Sequence, residues 1–246
     1  AYDKRNLVTQ ITYALGTNVV GPTKVKFWYD GLGRVVTAVN QVNSTTFDAR
    51  VTREWNSLSK LEKETTWVRP TNEDGTGSTS HAIEYTYDAS GRVVTKTYPE
   101  GTLVILGYDS LNRVNTMMRK DVGGSPVGVA HWTFQGPARM LTMEFGNGVR
   151  ETMSYDPWGR AAELFHDRPD TATTRKPMYY YRRIYDNGNR PTKERRDYYD
   201  NSGTHLIHES DFGDIYAYDH QDRLVTTVLS VGYVSHQATA IDDAPE

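Results

Sequence analysis

The chain has 246 residues and nearly balanced charge, with 28 basic and 31 acidic side chains and a net charge of -3. Both signs are mixed along the sequence, so no basic surface of the kind that neutralises phosphates is expected. The absence of cysteine excludes disulfides and thiolate metal sites. No apolar run approaches the roughly 20 residues of a membrane-spanning helix. We therefore predict no nucleic-acid partner and no membrane span.

A short motif recurs from the first residues onward. Eight of the seventeen tyrosines are followed directly by aspartate. Three residues after that aspartate, every copy carries Gly, Asn or Asp, the residue types that tolerate a left-handed backbone. The next residue is arginine in six of the eight copies. The eight tyrosines are Tyr2, Tyr29, Tyr87, Tyr108, Tyr155, Tyr185, Tyr199 and Tyr218.

This spacing predicts the tip of a β-hairpin. An aspartate, two free residues and a left-handed residue are typical of a type I turn closed by a bulge, in which the Asp side chain accepts backbone N–H groups. Asp30 is then expected opposite Arg34, and Tyr29 opposite Val35. The residues of the structural repeat motif are Tyr29, Asp30, Gly33, Arg34, Tyr87, Asp88, Gly91, Arg92, Tyr108, Asp109, Asn112, Arg113, Tyr155, Asp156, Gly159, Arg160, Tyr185, Asp186, Asn189, Arg190, Tyr218, Asp219, Asp222 and Arg223.

Two further segments look like degenerate copies, beginning at Trp55 and at Phe134. With them, the sequence predicts about nine hairpins between residues 1 and 235, and a flexible tail at 236–246. The predicted loops run from Pro70 to Ser80, from Asp121 to Gly128 and from Asp167 to Pro177, because Gly, Pro, Ser, Thr and Asp are dense there. The longer spacings between hairpins predict loop insertions on one side of the sheet.

The motif Tyr-Asp-x-x-Gly-Arg, followed by Val or Leu, resembles the YD-repeat or Rhs (rearrangement hotspot) family over nearly the whole chain. The resemblance implies an all-β fold of antiparallel β-hairpin repeats, which form a curved, spiralling open sheet as a segment of a shell. It implies a secreted or cell-surface location, with neighbouring YD repeats of a longer parent chain as partners. A toxin cargo enclosed by the shell is a further implied partner.

The bacterial members of the family are expected to release their cargo by an aspartyl self-cleavage beyond the repeats. Here the Asp156-Pro157-Trp158-Gly159 segment lies inside an ordinary repeat, so no cleavage residues are assigned. No nucleophile, phosphate-binding or dinucleotide motif is present. The predicted function is therefore a structural, non-catalytic one without cofactors. The unpaired edges of an open sheet also predict self-association.

Three alternative sites compete with this structural interpretation. The cluster His205, His208, Glu209, Asp211 and Asp214 does not have the spacing of a helical zinc motif. The loop from Asn72 to Gly75 lacks the alternating oxygen ligands of a calcium loop. Neither supports a metal site. The exposed aromatic residues allow a glycan- or protein-binding adhesion module, for which Trp132 and Trp158 are the candidates.

Overall fold

The computed structural model describes residues 1–229 except 17, 20, 44 and 209–212, together with short strands at 232–234 and 240–241. For 205–208, 232–234 and 240–241 only the course of the backbone is described. No helix is found in these residues, so none could span a membrane. The chain divides into two compact units, Ala1–Gly107 with Met118–Pro126, and Tyr108–Met117 with Val127–Glu246.

The first unit is a series of antiparallel strands that pair in chain order. Strand β1 pairs with β2, and each following strand pairs with the next as far as β8. The strands are β1 Gln10–Thr12, β2 Lys24–Tyr29, β3 Val35–Gln41, β4 Phe47–Trp55, β5 Leu61–Val68, β6 Ser80–Tyr87, β7 Val93–Thr97 and β8 Leu103–Tyr108. Strand β9, Val114–Lys120, follows, and its residues are divided between the two units.

The second unit repeats this arrangement, with consecutive antiparallel pairs from β10 to β15. Strand β15 then pairs with both β16 and β17, and β17 pairs with β18. The strands are β10 Val127–Gln135, β11 Arg139–Phe145, β12 Arg150–Tyr155, β13 Ala161–Pro169, β14 Arg175–Tyr185, β15 Pro191–Tyr199, β16 His205–His208, β17 Asp214–Tyr218, β18 Leu224–Val228, β19 Gly232–Val234 and β20 Ala240–Ile241.

The prediction of an all-β, antiparallel, open sheet built from hairpins is confirmed. Val, Ile, Thr and Tyr fill the strands because branched and aromatic side chains suit a pleated, half-buried surface. Apart from Pro70, the buried apolar side chains in the described residues are Val39, Phe47 and Ala130. With so small an apolar core, contacts between neighbouring hairpins must supply much of the stability.

The turns of each unit alternate between the two ends of its strands. In the first unit, the Tyr-Asp turns join β2 to β3 and β6 to β7 at one end, and longer connections such as 69–79 lie at the other end. The predicted placement of insertions on one side is therefore correct. The Tyr199 turn joins β15 to β16, so it lies at the strand end opposite the Tyr185 turn. The sequence motif alone did not distinguish these two ends.

All three predicted loops were too long, the one from Pro70 to Ser80 by a single residue, since Ser80 begins β6. The loop expected from Asp167 to Pro177 spans only 170–174, because the ladder continues through the pairs Asp167↔Pro177 and Pro169↔Arg175. A bulge at His166/Asp167 accommodates this continuation. Val127 and Gly128, also expected in a loop, begin β10. Most of the predicted flexible tail at 236–246 lies outside the described residues.

Candidate functional site

The hairpin tips form as the motif predicts, and Asp30 shows the local chemistry. Its backbone N–H donates to the carbonyl of Arg34, and the N–H of Gly33 donates to the carbonyl of Asp30. Its Oδ1 accepts the N–H groups of Leu32 and Arg34 at 2.9 and 3.0 Å. Gly33 has φ 80°, a conformation that is readily available to glycine. Each tip is thus fixed by residues within a five-residue segment.

The aspartate also binds the arginine of its own tip through its second oxygen. Arg34 Nε donates to Asp30 Oδ2 at 2.6 Å. Six tips share this bond at 2.6–2.7 Å. The six pairs are Asp30 with Arg34, Asp88 with Arg92, Asp109 with Arg113, Asp156 with Arg160, Asp186 with Arg190, and Asp219 with Arg223.

These bonds lower the pKa of the tip carboxyls. For Asp88, the backbone N–H of Arg92 and then its guanidinium hold the pKa below the usual value. For Asp156, burial acts to raise the pKa, but the backbone and side-chain bonds from Arg160 outweigh it and the pKa falls. The aspartates therefore stay ionised at neutral pH. An ionised carboxylate that is already hydrogen-bonded is poorly suited to act as a general acid.

At several tips the arginine also reaches the next hairpin, through partners that the sequence did not specify. Arg160 Nη1 donates to the carbonyl of Asp186 at 2.8 Å and to Asn189 Oδ1 at 3.0 Å. The Arg160 guanidinium lies 4.6 Å from the centroid of the Tyr185 ring. Arg34 and Arg190 make equivalent bonds to the carbonyls of Asn56 and Asp219. One guanidinium thus holds two tips together.

The aromatic anchor completes the link in the opposite direction. Tyr185 donates its hydroxyl to the carbonyl of Ala161 at 3.0 Å, and Ala161 directly follows Arg160. The same bond recurs in both units, each time to the residue that follows the arginine position of the preceding tip. The pairs are Tyr29 with Val8, Trp55 with Val35, Tyr87 with Leu61, and Tyr155 with Met140. We call the combined arginine and aromatic contacts the interlock.

Seven of the described hairpins also contain a second bulge, beyond the predicted one that closes the turn, which sequence reasoning missed. Tyr29 pairs with Val35 as predicted, but the preceding residue Trp28 pairs with Thr37, so Val36 is an extra residue. The same shift occurs beside Trp55, Tyr87, Phe134, Tyr155, Tyr185 and Tyr218. A bulge sharpens the local twist of a strand. Adjacent apolar residues after the arginine, such as Val35 with Val36, were the available signal.

The two degenerate copies form hairpins, but they differ at the tip. Asn56 replaces the aspartate and its Oδ1 still accepts the N–H groups of Leu58 and Lys60 at 3.0 and 2.9 Å. In the Phe134 copy the strand continues to Gln135, and the left-handed residue is Gly136. Both copies therefore keep the strand pairing of the hairpin. Only the copy at Trp55 keeps a turn in which a side-chain oxygen accepts the two backbone N–H groups.

The hairpin that begins at Tyr2, the first copy of the motif in the chain, compensates for a missing arginine. Leu7 occupies the arginine position, and Arg5, two residues earlier, takes over its bonds. Arg5 Nε donates to Asp3 Oδ2 at 3.1 Å, and Arg5 Nη1 donates to the carbonyl of Asp30 at 2.7 Å. The interlock is thus maintained by a cation from a different position of the turn.

The alternative sites are resolved in part. In the His/Asp/Glu cluster that was not expected to bind metal, Asp214 accepts a hydrogen bond from Arg196 Nη1 at 2.7 Å, while Glu209 and Asp211 lie outside the described residues. Among described residues no metal-binding group of His, Asp and Glu occurs. Trp132 is half-buried in strand β10, whereas Trp158 is 70% exposed at a tip. Of these two candidates, Trp158 presents the exposed ring that an adhesion site needs.

Replacing Tyr87 by phenylalanine tests the aromatic half of the interlock. The variant loses the 2.6 Å bond to the Leu61 carbonyl and leaves that carbonyl without this donor. We expect a loss of about 1 kcal/mol in the free energy of unfolding, measured by urea denaturation. Tyr85→Phe is the matched control, because its ring lies on the same strand without a described hydroxyl bond. Equal stability of both variants would contradict the proposed bond.

In comparison with known proteins, a family model matches part of the chain. A model of the RHS Repeat matches residues 69–103 and 87–125. None of the curated proteins matches the chain.

Several solved structures share the fold. A Tc holotoxin pore of Photorhabdus luminescens, with a mutant TccC3, aligns with 88% of this chain at 18% identity and a TM-score of 0.60. Two crystal structures of TcdB2-TccC3 align with 92% and 83% of it, at 17% and 16% identity and a TM-score of 0.59. The chain covers only 12% of each matched chain. Residues 69–125 therefore match RHS repeats, and the fold of the chain is the one shared with these solved structures.

Proposed function

We propose that the chain is a non-catalytic wall segment of an RHS-type shell, which in a longer parent protein encloses or presents a toxin or effector domain. The observation that carries this proposal is the interlock, which links one hairpin tip to the next in both units. Such nearest-neighbour contacts let a sheet extend by repetition without a central core. A curved, spiralling course of the sheet belongs to the same proposal.

The chemistry of the tips supports a structural role. Asp156 accepts two backbone N–H groups and the Arg160 guanidinium, so its acceptor capacity is used within the turn. The same arrangement recurs at six tips, whereas catalytic groups converge on one place. The repeated Asp and Arg residues are therefore assigned to stability.

The structural neighbours support a location in a larger assembly. These neighbours are a Tc holotoxin pore and TcdB2-TccC3 proteins, and this chain covers 12% of their length. We infer that the parent is secreted or displayed at the cell surface, with toxin cargo and neighbouring repeats as its partners. Strand β18, whose Leu224, Val225 and Val228 are more than half exposed, is the proposed edge for pairing with a further repeat or a second copy.

The mass of the native protein tests this function. Denaturing mass spectrometry of the protein isolated from its producing cells is expected to give a polypeptide several times heavier than the 27.9 kDa of this chain. Native mass spectrometry of the same sample then reports any self-association through the sheet edges. A native polypeptide near 27.9 kDa would leave no cargo to enclose and would contradict the shell.

A further inference from the structure

Trp158 occupies an unusual position at the tip of the Tyr155 hairpin. It follows Pro157, whose ring fixes the first half of the turn, and precedes the left-handed Gly159. The indole is 70% exposed, compared with 41% for Trp28, the only other tryptophan among the exposed large hydrophobic residues described. A large aromatic ring held on a rigid turn offers contact area at little entropic cost to a ligand.

The position of Trp158 in the turn is an exposed one in other hairpins too. Leu32, Leu58 and Leu111 stand at the same place, and each is more than half exposed. Trp158 differs because the Arg160 guanidinium lies 5.1 Å from its ring centroid and supports one face. The rest of the indole surface is open to solvent. The ring is therefore a supported platform and not a loose side chain.

Two hollows flank this platform within the second unit, with volumes of about 370 and 430 Å³. Both fall at the lower end of the range of small-ligand sites. Trp158, Tyr155 and Asp156 line both of them. The first is completed mainly by Ser154, Arg160, Glu163, Arg182, Arg183 and Tyr185, and the second by Gln135, Arg139, Pro157 and Gly159. Most of these side chains are polar, which disfavours an apolar ligand.

The hollows carry an excess of positive charge. Four arginines line them against two carboxylates, those of Asp156 and Glu163, and one of the four, Arg183, is paired with Glu194 outside the lining. Arg139 donates Nε to the carbonyl of Gly159 at 3.0 Å and forms no ion pair with a carboxylate in the described residues. Arg182 is nearly half exposed, and its Nε lies 3.6 Å from Glu163 Oε1. Guanidinium groups of this kind bind carboxylates with two parallel hydrogen bonds.

We propose that Trp158 and the flanking hollows form a binding site for an acidic saccharide, a sugar chain with carboxylate groups. The indole would stack on the C–H face of one pyranose ring, and Arg139 or Arg182 would bind the carboxylate of a neighbouring one. Ser154, Gln135 and Glu163 supply hydrogen-bonding groups for hydroxyls. This site is independent of the wall function, because it rests on one tip and not on the repeated interlock.

A glycan microarray with this protein tests the proposal. The array carries saccharides with uronic or sialic acid residues beside neutral counterparts, for example sialyllactose beside lactose. We expect binding to at least one acidic saccharide, and binding to its neutral counterpart about tenfold weaker or absent. Binding to none of the acidic saccharides, or equal binding to both members of every pair, would overturn the proposal.

Titration calorimetry with the saccharide bound best then assigns the residues. Trp158→Ala is expected to weaken binding at least about tenfold, and Arg139→Gln to weaken it and reduce its dependence on salt. Leu111→Ala is the matched control, since it truncates the same exposed turn position in another hairpin. Because Trp158 is exposed, its variant should keep the melting temperature of the unsubstituted protein. Unchanged affinity in Trp158→Ala, or a change only in oligomeric state, would assign the tip to another role.

Discussion

Replacing Arg160 by alanine should destabilise the second unit by roughly 2–3 kcal/mol, because one side chain serves two hairpins. The variant loses the bonds to the Asp186 carbonyl and Asn189, and the stacking on the Tyr185 ring. It also leaves Asp156 without its counterion. Differential scanning calorimetry should show the melting transition of this unit lowered by about 5–10 °C.

The chain offers a matched control for this variant in Arg223. Arg223 forms the same bond to the aspartate of its own tip, Nε to Asp219 Oδ2 at 2.7 Å. Its side chain is 71% exposed, against 16% for Arg160, and no contact to a later hairpin is described for it. The difference between the two alanine variants therefore measures the contacts between hairpins. Equal melting temperatures would show that the arginine stabilises only its own turn.

The interlock also explains why a sheet with so few buried apolar side chains can be stable. The hairpins of Tyr29, Tyr155 and Tyr185 are each tied to the previous one by a tyrosine O–H and to the next one by a guanidinium. In such an array the stability is close to a sum of terms for each unit and each neighbouring pair. A broken link is then expected to separate the array locally, and a single two-state transition for the whole chain is not expected.

The turns could be predicted from the sequence because their chemistry is local. Asp30, Gly33 and Arg34 lie within five residues, and the preference of glycine for a left-handed backbone needs no tertiary context. Arg160 likewise pairs with Asp156 four residues earlier. The register between Tyr29 and Val35 followed from the length of the turn alone. Local determinants therefore sufficed for the hairpins and the fold class.

The sequence favours arginines that stack on aromatic rings and lock adjacent hairpins. Their exact partners could not be predicted, since these are distant in sequence. Arg34 reaches Asn56 across 22 positions, and Arg160 reaches Asp186 across 26. These separations depend on the lengths of the intervening loops, which vary from repeat to repeat. Strand ladders also extended into segments expected to be loops, as at Asp167, where ion pairs with Arg150 and Arg175 hold the backbone in the sheet. Tertiary contacts outweighed composition there.

Acidification should destabilise the chain through the tip carboxyls. The pKa values of Asp30, Asp88, Asp109, Asp156, Asp186 and Asp219 all lie below the usual value. A lowered pKa in the folded state means that the unfolded chain binds protons first, near pH 3.9. The resulting stability is complete above that pH and is lost as the pH falls through the lower folded values. Urea unfolding should therefore require less denaturant from about pH 5 downward.

Asp88→Asn separates this effect from a general response to acid. The turn around Asn56 shows that an amide oxygen can accept the same two backbone N–H groups, so the variant should keep its hairpin. It loses the charge that pairs with Arg92 at 2.6 Å, and it should be less stable than the unsubstituted protein at neutral pH. Because it has one titrating carboxyl fewer, its stability should fall less on acidification. If the unsubstituted protein and Asp88→Asn lose equal stability between neutral and acidic pH, the tip carboxyl at Asp88 does not contribute to the acid response.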